Sequence, residues 1–141
     1  MKIHQQIIDI KTSGKCLHNI TPQIKDVLNN SGIITGLATI FILHTSASLI
    51  IQENADPDVL ADLSIFFSKL VPENGYDYLH SSEGADDMPS HIRSILTSTS
   101  ENIIIRQGKL LLGTWQGIYL WEHRTRSHFR QVAIHLQGVD Y

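Results

Sequence analysis

Residues 33–43, Ile-Ile-Thr-Gly-Leu-Ala-Thr-Ile-Phe-Ile-Leu, constrain the fold more than any other stretch of this chain. They are almost continuously apolar and rich in β-branched residues, the pattern of a central strand buried on both faces. Such a strand needs neighbours on either side and cover above and below. His44-Thr45-Ser46-Ala47-Ser48 follows at once, and Leu49-Ile50-Ile51 then resumes the strand character. Polar side chains between two core strands lie exposed at a strand end or are held by partners, because an unpaired buried polar group costs roughly 1–3 kcal/mol.

The remaining elements arrange themselves around that strand. Residues 3–10 mix apolar and polar positions and read as a strand near an edge. Thr12-Ser13-Gly14-Lys15 is a turn. Thr21 suits a helix N-cap with Pro22 in the first turn; Ile20, Ile24, Val27 and Leu28 give the apolar stripe, and Gly32 a left-handed stop. Asp56 and Pro57 open a second helix, with a stripe through Val59, Leu60, Leu63, Phe66, Phe67 and Leu70. Residues 88–96 form a short helix with Asp87 as N-cap, and Asp87 and His91, four apart, share one of its faces. Strands are expected over 101–106, 109–112, 118–123 and 129–136, with Gln107-Gly108 a tight turn and Gly113–Gly117 a break. Strands dominate, so the class is α+β with a mostly antiparallel sheet. The 141 residues contain no repeat or linker and form one domain, 1–141.

Composition excludes several functions. A net charge of −3 argues against a sequence-independent nucleic-acid binder, which carries a basic surplus. No apolar run approaches the roughly 18 residues of a membrane span. No basic start with an apolar run behind it marks a signal peptide, so a cytoplasmic location is expected. A single cysteine, Cys16, removes an intrachain disulfide and a Cys-rich zinc site.

Histidine is the unusual count, eight in all. Two of them bracket His80-Ser81-Ser82-Glu83-Gly84-Ala85-Asp86-Asp87-Met88-Pro89-Ser90-His91, which packs two imidazoles and three carboxylates into twelve residues. Carboxylates this dense repel one another, and a cation or an arginine cluster offsets them. The plain reading is a solvated acidic loop. The metal reading takes His44, His80 and His91 as imidazole ligands, with Asp87 or Glu83 completing the set. Imidazole with carboxylate suits zinc, manganese or iron, and carboxylate with water suits magnesium. Thr45, Ser46 and Ser48 either cap a bend or give hydroxyl and backbone N–H groups to a phosphate. Arg124, Arg126 and Arg130 lie near this set in sequence, and one could grip a phosphate bidentately. Trp121 alternates with Tyr119 as a core residue does, whereas Trp115 could offer a face to a flat ring. Glu122 and His123, as strand neighbours, point to opposite sides, so only one of them reaches any one site.

Four stretches together carry a resemblance: His44–Ser48, Glu53-Asn54-Ala55-Asp56-Pro57-Asp58-Val59, Glu83–His91 and Leu112–Arg124 with its Gly113-Thr114-Trp115-Gln116-Gly117 core. In that order, and over nearly the whole chain, they resemble the YjbQ family, also called UPF0047 or secondary thiamine-phosphate synthase. Ser90 stands where that family usually has Ala. The resemblance implies a compact α+β fold of two packed, mostly antiparallel sheets with flanking helices, assembled as a homotrimer, with a site near a subunit interface. It also implies a divalent metal (zinc, manganese or magnesium) and a small phosphorylated metabolite as partner. The activity implied joins a pyrimidine diphosphate to a thiazole phosphate and expels pyrophosphate.

Laid on this chain, that activity puts His44, His80, Asp87 and His91 on the metal. Thr45, Ser46, Ser48, Gln116 and Arg124 are placed on the substrate, and Glu53, Glu83 or Asp86 on proton transfer. Two other classes compete. One is a metal-dependent hydrolase of a small phosphorylated or acyl metabolite, using the same residues. The other is a non-enzymatic trimer that binds a metabolite or a metal.

Overall fold

The computed structural model covers residues 1–141. In chain order the elements are β1 (Lys2–Lys11), β2 (Cys16–Asn19), α1 (Thr21–Ser31), β3 (Thr35–Ile42), β4 (Ala47–Glu53), α2 (Pro57–Leu70), α3 (Asp87–Leu96), β5 (Ser100–Arg106), β6 (Lys109–Leu110), β7 (Gln116–Glu122) and β8 (Phe129–Val139). The class is α+β, and every strand pairing is antiparallel.

Two sheets form, one of five strands in the order β1-β8-β3-β5-β6 and one of three in the order β2-β7-β4. Strand β3 is central, between β8 and β5, and β1 is at the edge. The core lies between the sheets. Ala38, Ile40 and Ile42 of β3 and Val132, Ile134 and Leu136 of β8 meet Leu49 of β4 and Ile118 and Leu120 of β7 there, all fully or almost fully buried. Helix α1 adds Ile24, Val27 and Leu28. Burying one such side chain is worth roughly 1.5–3 kcal/mol, which makes this cluster the main source of cohesion.

Strand β3 departs from the expected burial on both faces. Its alternate residues Thr35 and Phe41 are exposed, and Leu37 and Thr39 half-buried, because nothing in this chain covers the outer face of the five-stranded sheet. Helix α2 is equally bare on one side: Ile65, Phe66 and Leu70 are exposed, and Phe67 makes an edge contact with Trp121 at 4.8 Å between ring centres.

Local chemistry explains the boundaries. Asp56 caps α2, accepting a hydrogen bond from the Asp58 N–H at 2.9 Å. Gly32 ends α1 at φ 72°, as its position predicts. The expected cap at Thr21 is corrected: Ile20 holds the cap position, and the Thr21 hydroxyl instead accepts from the Ile118 N–H at 2.8 Å, pinning α1 to β7. Likewise Asp86 precedes α3 where Asp87 was expected, and neither carboxylate caps the helix. Gln107 and Gly108, both at positive φ, make the β5–β6 turn. Gly36 and Gly138 face each other across β3 and β8, where a Cβ on either would lie 2.1 Å from a backbone oxygen of the other strand.

Candidate functional site

Helix α3 packs beside the start of β4, where the Ser94 hydroxyl donates to the Ala47 carbonyl at 3.3 Å, and its first two turns carry the site. Asp87 is 2% exposed and its Oδ2 receives two imidazoles: His80 Nε2 at 2.5 Å and His91 Nε2 at 3.2 Å. His91 sits four residues on, on the same helix face, and its Nδ1–H donates to the Thr45 carbonyl at 2.8 Å. That contact fixes the ring and turns Nε2 inward. The ligand-type atoms of His80, Asp87 and His91 all lie within 4.8 Å of one another. Nε2 of His91 faces an acceptor that it can meet only as an N–H or by sharing a cation with it.

Arg124, at the exit of β7, locks the acidic loop from below. It donates from Nη1 to Asp87 Oδ1 at 2.6 Å, from Nε to Asp86 Oδ2 at 3.0 Å and from Nη2 to the Glu83 carbonyl at 3.0 Å. The Thr125 N–H also donates to Asp86, at 2.9 Å. Burial alone would raise the Asp86 carboxyl, but the hydrogen bonds from Arg124 and Thr125 outweigh it and hold the group at about 2. Burial would likewise raise Asp87, and the His80 hydrogen bond with the Arg124 charge brings it below its usual range instead. Both acids are therefore anionic at neutral pH.

Beneath the site lies an ion pair that composition does not announce. Glu122, fully buried, receives Arg130 through Nε at 2.8 Å and Nη2 at 2.5 Å, with the Thr12 hydroxyl at 2.7 Å and the Arg124 N–H at 3.1 Å. This bidentate contact and the Thr12 bond overcome the burial that would otherwise raise its carboxyl. Through the Arg124 N–H, the Glu122 carboxylate also sets where the Arg124 backbone stands. His123 is on the other side of β7, buried, with Nε2 2.8 Å from the Ser48 hydroxyl. Burial pushes its pKa down to about 3, so it is neutral.

The comparisons with known proteins bear on the whole chain. The family model described as "UPF0047 protein YjbQ-like" matches residues 6–139. The chain belongs to the YjbQ/UPF0047 family. A UPF0047 protein of Synechocystis is 63% identical, covering 96% of this chain and 92% of its own. The UPF0047 protein YjbQ of Salmonella typhimurium is 46% identical over 96% and 98%. The crystal structure of a YjbQ/UPF0047 protein from Clostridium acetobutylicum superposes with a TM-score of 0.86 at 38% identity, covering 94% and 99%. A hypothetical protein of Aeropyrum pernix, at 24% identity and TM-score 0.87, shows the fold alone.

Within this YjbQ-family chain the expected site residues fall into separate groups. His80, Asp87 and His91 converge, with Asp86 and Arg124 directly behind them. Arg124 spends its donors on the acidic loop rather than on an open face. Thr45 is exposed at the edge, and Glu83 lines an open cleft of about 390 Å³ with Arg124, Arg126, Ser127 and His128. His44 stands apart: its Nε2 accepts the Gln131 N–H at 2.7 Å, toward Arg130 rather than toward the other two histidines. Ser48 is buried against His123, and Ser46 offers its carbonyl to Arg130 and to the His123 N–H, both at 3.3 Å. Glu53 and Gln116 pair with each other at the far end of β4 and β7, six residues from the Ala47–Glu122 pair, a separation of about 20 Å. There Glu53 accepts from the Ala55 and Asp56 N–H groups, and Gln116 Oε1 from the Gly113 N–H, each at 2.7 Å.

Sequence reasoning did not find the partners of Glu122. Arg130 had a signal: it shares parity with Val132, Ile134 and Leu136 and so faces the core, where a charge needs a partner. Thr12 had none.

Proposed function

We propose that this protein is a metal-dependent enzyme acting on a small phosphorylated metabolite, with His80, Asp87 and His91 holding a divalent cation. One observation carries the reading: two imidazoles and a buried carboxylate bring their ligand-type atoms within 4.8 Å of one another. The donor set fits a cation, because His91 is oriented through its Nδ1–H on a backbone carbonyl and Asp87 through Arg124 on its second oxygen, the usual supports of metal ligands. Two imidazoles favour zinc or manganese over magnesium. A divalent ion held there supplies positive charge to a phosphate oxygen or leaving group.

The chain's own residues do the rest. Arg124 keeps Asp87 ionised and in line. The exposed Glu83 carboxylate, at the mouth of the polar cleft, exchanges a proton with substrate, and the Thr45 hydroxyl donates to a phosphate oxygen. Family membership makes the joining of a pyrimidine diphosphate to a thiazole phosphate the first reaction to assay, as a secondary activity. A cytoplasmic homotrimer is the setting of this reading.

Metal content of tag-free protein tests it. Wild type is expected to hold about one ion per chain, and His80→Ala, His91→Ala and Asp87→Asn to lose it while remaining folded. His44→Ala is expected to keep it, since that ring binds the Gln131 N–H. A wild type that takes up no zinc, manganese or magnesium overturns the reading. Release of pyrophosphate, against release of inorganic phosphate, then separates transfer from hydrolysis.

A further inference from the structure

Cations and acids are interleaved around the site. Arg124 answers Asp86 and Asp87, and Arg130 answers Glu122. Lys15 and Arg93 both turn to a single carboxylate, Glu73: Lys15 contacts it directly, and Arg93 Nη1 is 3.9 Å from the same Oε1. Two cations thus share one carboxylate, and Asp86, an acid that acts on both from further off, is itself held by Arg124. One of the two cations is buried, Arg93 being only 5% exposed.

Arg93 is also under-bonded. Nη2 donates to the Val71 carbonyl at 2.9 Å, while Nε has no partner in the protein. A buried guanidinium lacking a close carboxylate is costly. A buried donor without a protein partner calls for one from outside the chain, such as water or an anion.

The segment that Glu73 opens reaches the metal-type site. A cleft of about 390 Å³ runs along it, lined by Glu73, Tyr76, Asp77, Tyr78 and His80 among others; Lys15 and Arg93 do not line it and meet it through Glu73. The two tyrosine rings stack at 5.0 Å between centres. His80 is thus shared by this cleft and by the His80–Asp87–His91 group. An anionic group lodged at Glu73 would lie in the same cleft as a ligand of the proposed cation.

We propose that Lys15 and Arg93 form an oxyanion receptor, and that Glu73 is a placeholder which a carboxylate or phosphate of the incoming ligand displaces. The ligand class is a small organic anion, with the stacked Tyr76–Tyr78 pair beside its uncharged part. As a subsite for the substrate, this rests on the proposed function; as an anion site, it stands without a metal.

The test is binding of inorganic phosphate, with acetate as a second arm, to full-length protein in EDTA. It is read by calorimetry and by the Arg Nε–H resonances in 15N-resolved NMR. Phosphate is expected to shift the Arg93 Nε–H signal, and Glu73→Gln to bind about tenfold more tightly because the competing carboxylate is neutralised. Lys15→Met is expected to weaken binding about tenfold, and Arg93→Lys to retain part of it. Acetate binding alone would assign the receptor to carboxylates, and phosphate binding alone to phosphates. Unchanged or weaker binding in a folded Glu73→Gln, or no shift at Arg93 with either anion, overturns the proposal. Because EDTA removes metal, failure here leaves the metal reading intact, and anion binding in a protein that takes up no metal sinks only the other.

Discussion

His123 shows how one residue can couple the fold to pH. Its ring is buried on β7, with the Ser48 hydroxyl as its hydrogen-bond partner, and its pKa falls from 6.5 to about 3. The folded state therefore prefers the neutral ring, and the unfolded chain binds the proton more readily. Its contribution is fully present above pH 6.5 and is lost progressively as pH falls toward 3, at about 1.4 kcal/mol per pH unit for one group. Urea unfolding at pH 6, 5 and 4 should show wild type losing stability more steeply than His123→Gln by about that amount per unit. Parallel slopes would mean that the ring is protonated in the native state. The sequence placed Glu122 and His123 on opposite sides of a strand, and they are. It could not show that both sides are interior, because that depends on α2 and α3 covering the outer face of the small sheet.

At the scale of elements, the legible features were those whose physics is local. Asp56-Pro57 and Gly32 marked helix ends because capping and left-handed φ depend on a few adjacent atoms. Thr21 misled for the opposite reason: its hydroxyl had a better partner, the Ile118 N–H, ninety-seven residues away. Strand β2, four residues of mixed polarity, carried no periodic signal and exists because β7 needed a neighbour. The site divides in the same way. Asp87 and His91 were readable from helical spacing, whereas Arg130 on Glu122 and Arg93 on Val71 are long-range contacts. His44, grouped with the other histidines on residue type, is turned away by one backbone N–H of β8. A glycine pair gives the element-scale prediction. Gly36→Ala should destabilise the fold on the order of 2–4 kcal/mol, since its Cβ would meet the Gln137 carbonyl at 2.1 Å and β3 and β8 must part. A urea midpoint unchanged from wild type would show that the strands can relax apart.

At the scale of the whole molecule, the uncovered faces matter most. Ile3 and Ile7 of β1, Phe41 of β3 and Ile104 of β5 stand exposed on the outer face of the large sheet, and α2 shows Ile65, Phe66 and Leu70. Exposed apolar area of this extent is typical of an association surface. The homotrimer proposed above should sediment at three times the 15.9 kDa of the chain, and Phe41→Asp should shift it toward monomer. A wild type that sediments as a monomer at micromolar concentration removes the trimer from the reading. No helix is long and apolar enough to cross a membrane, so these faces are not spans of that kind.

The segment between α2 and α3 is held mainly by side chains of other elements. It holds no strand or helix, Leu79 within it is fully exposed, and its ties are Arg93 on the Val71 carbonyl, Lys15 on Glu73, Arg124 on the Glu83 carbonyl and on Asp86, the Thr125 N–H on Asp86, and His80 on Asp87. Most of these ties are charged side chains that also build the site. Amide exchange and protease cutting near Tyr76 and Leu79 will thus act as gauges of site occupancy: whatever engages Arg93 or His80 slackens or tightens this strap first, long before the core between the sheets responds.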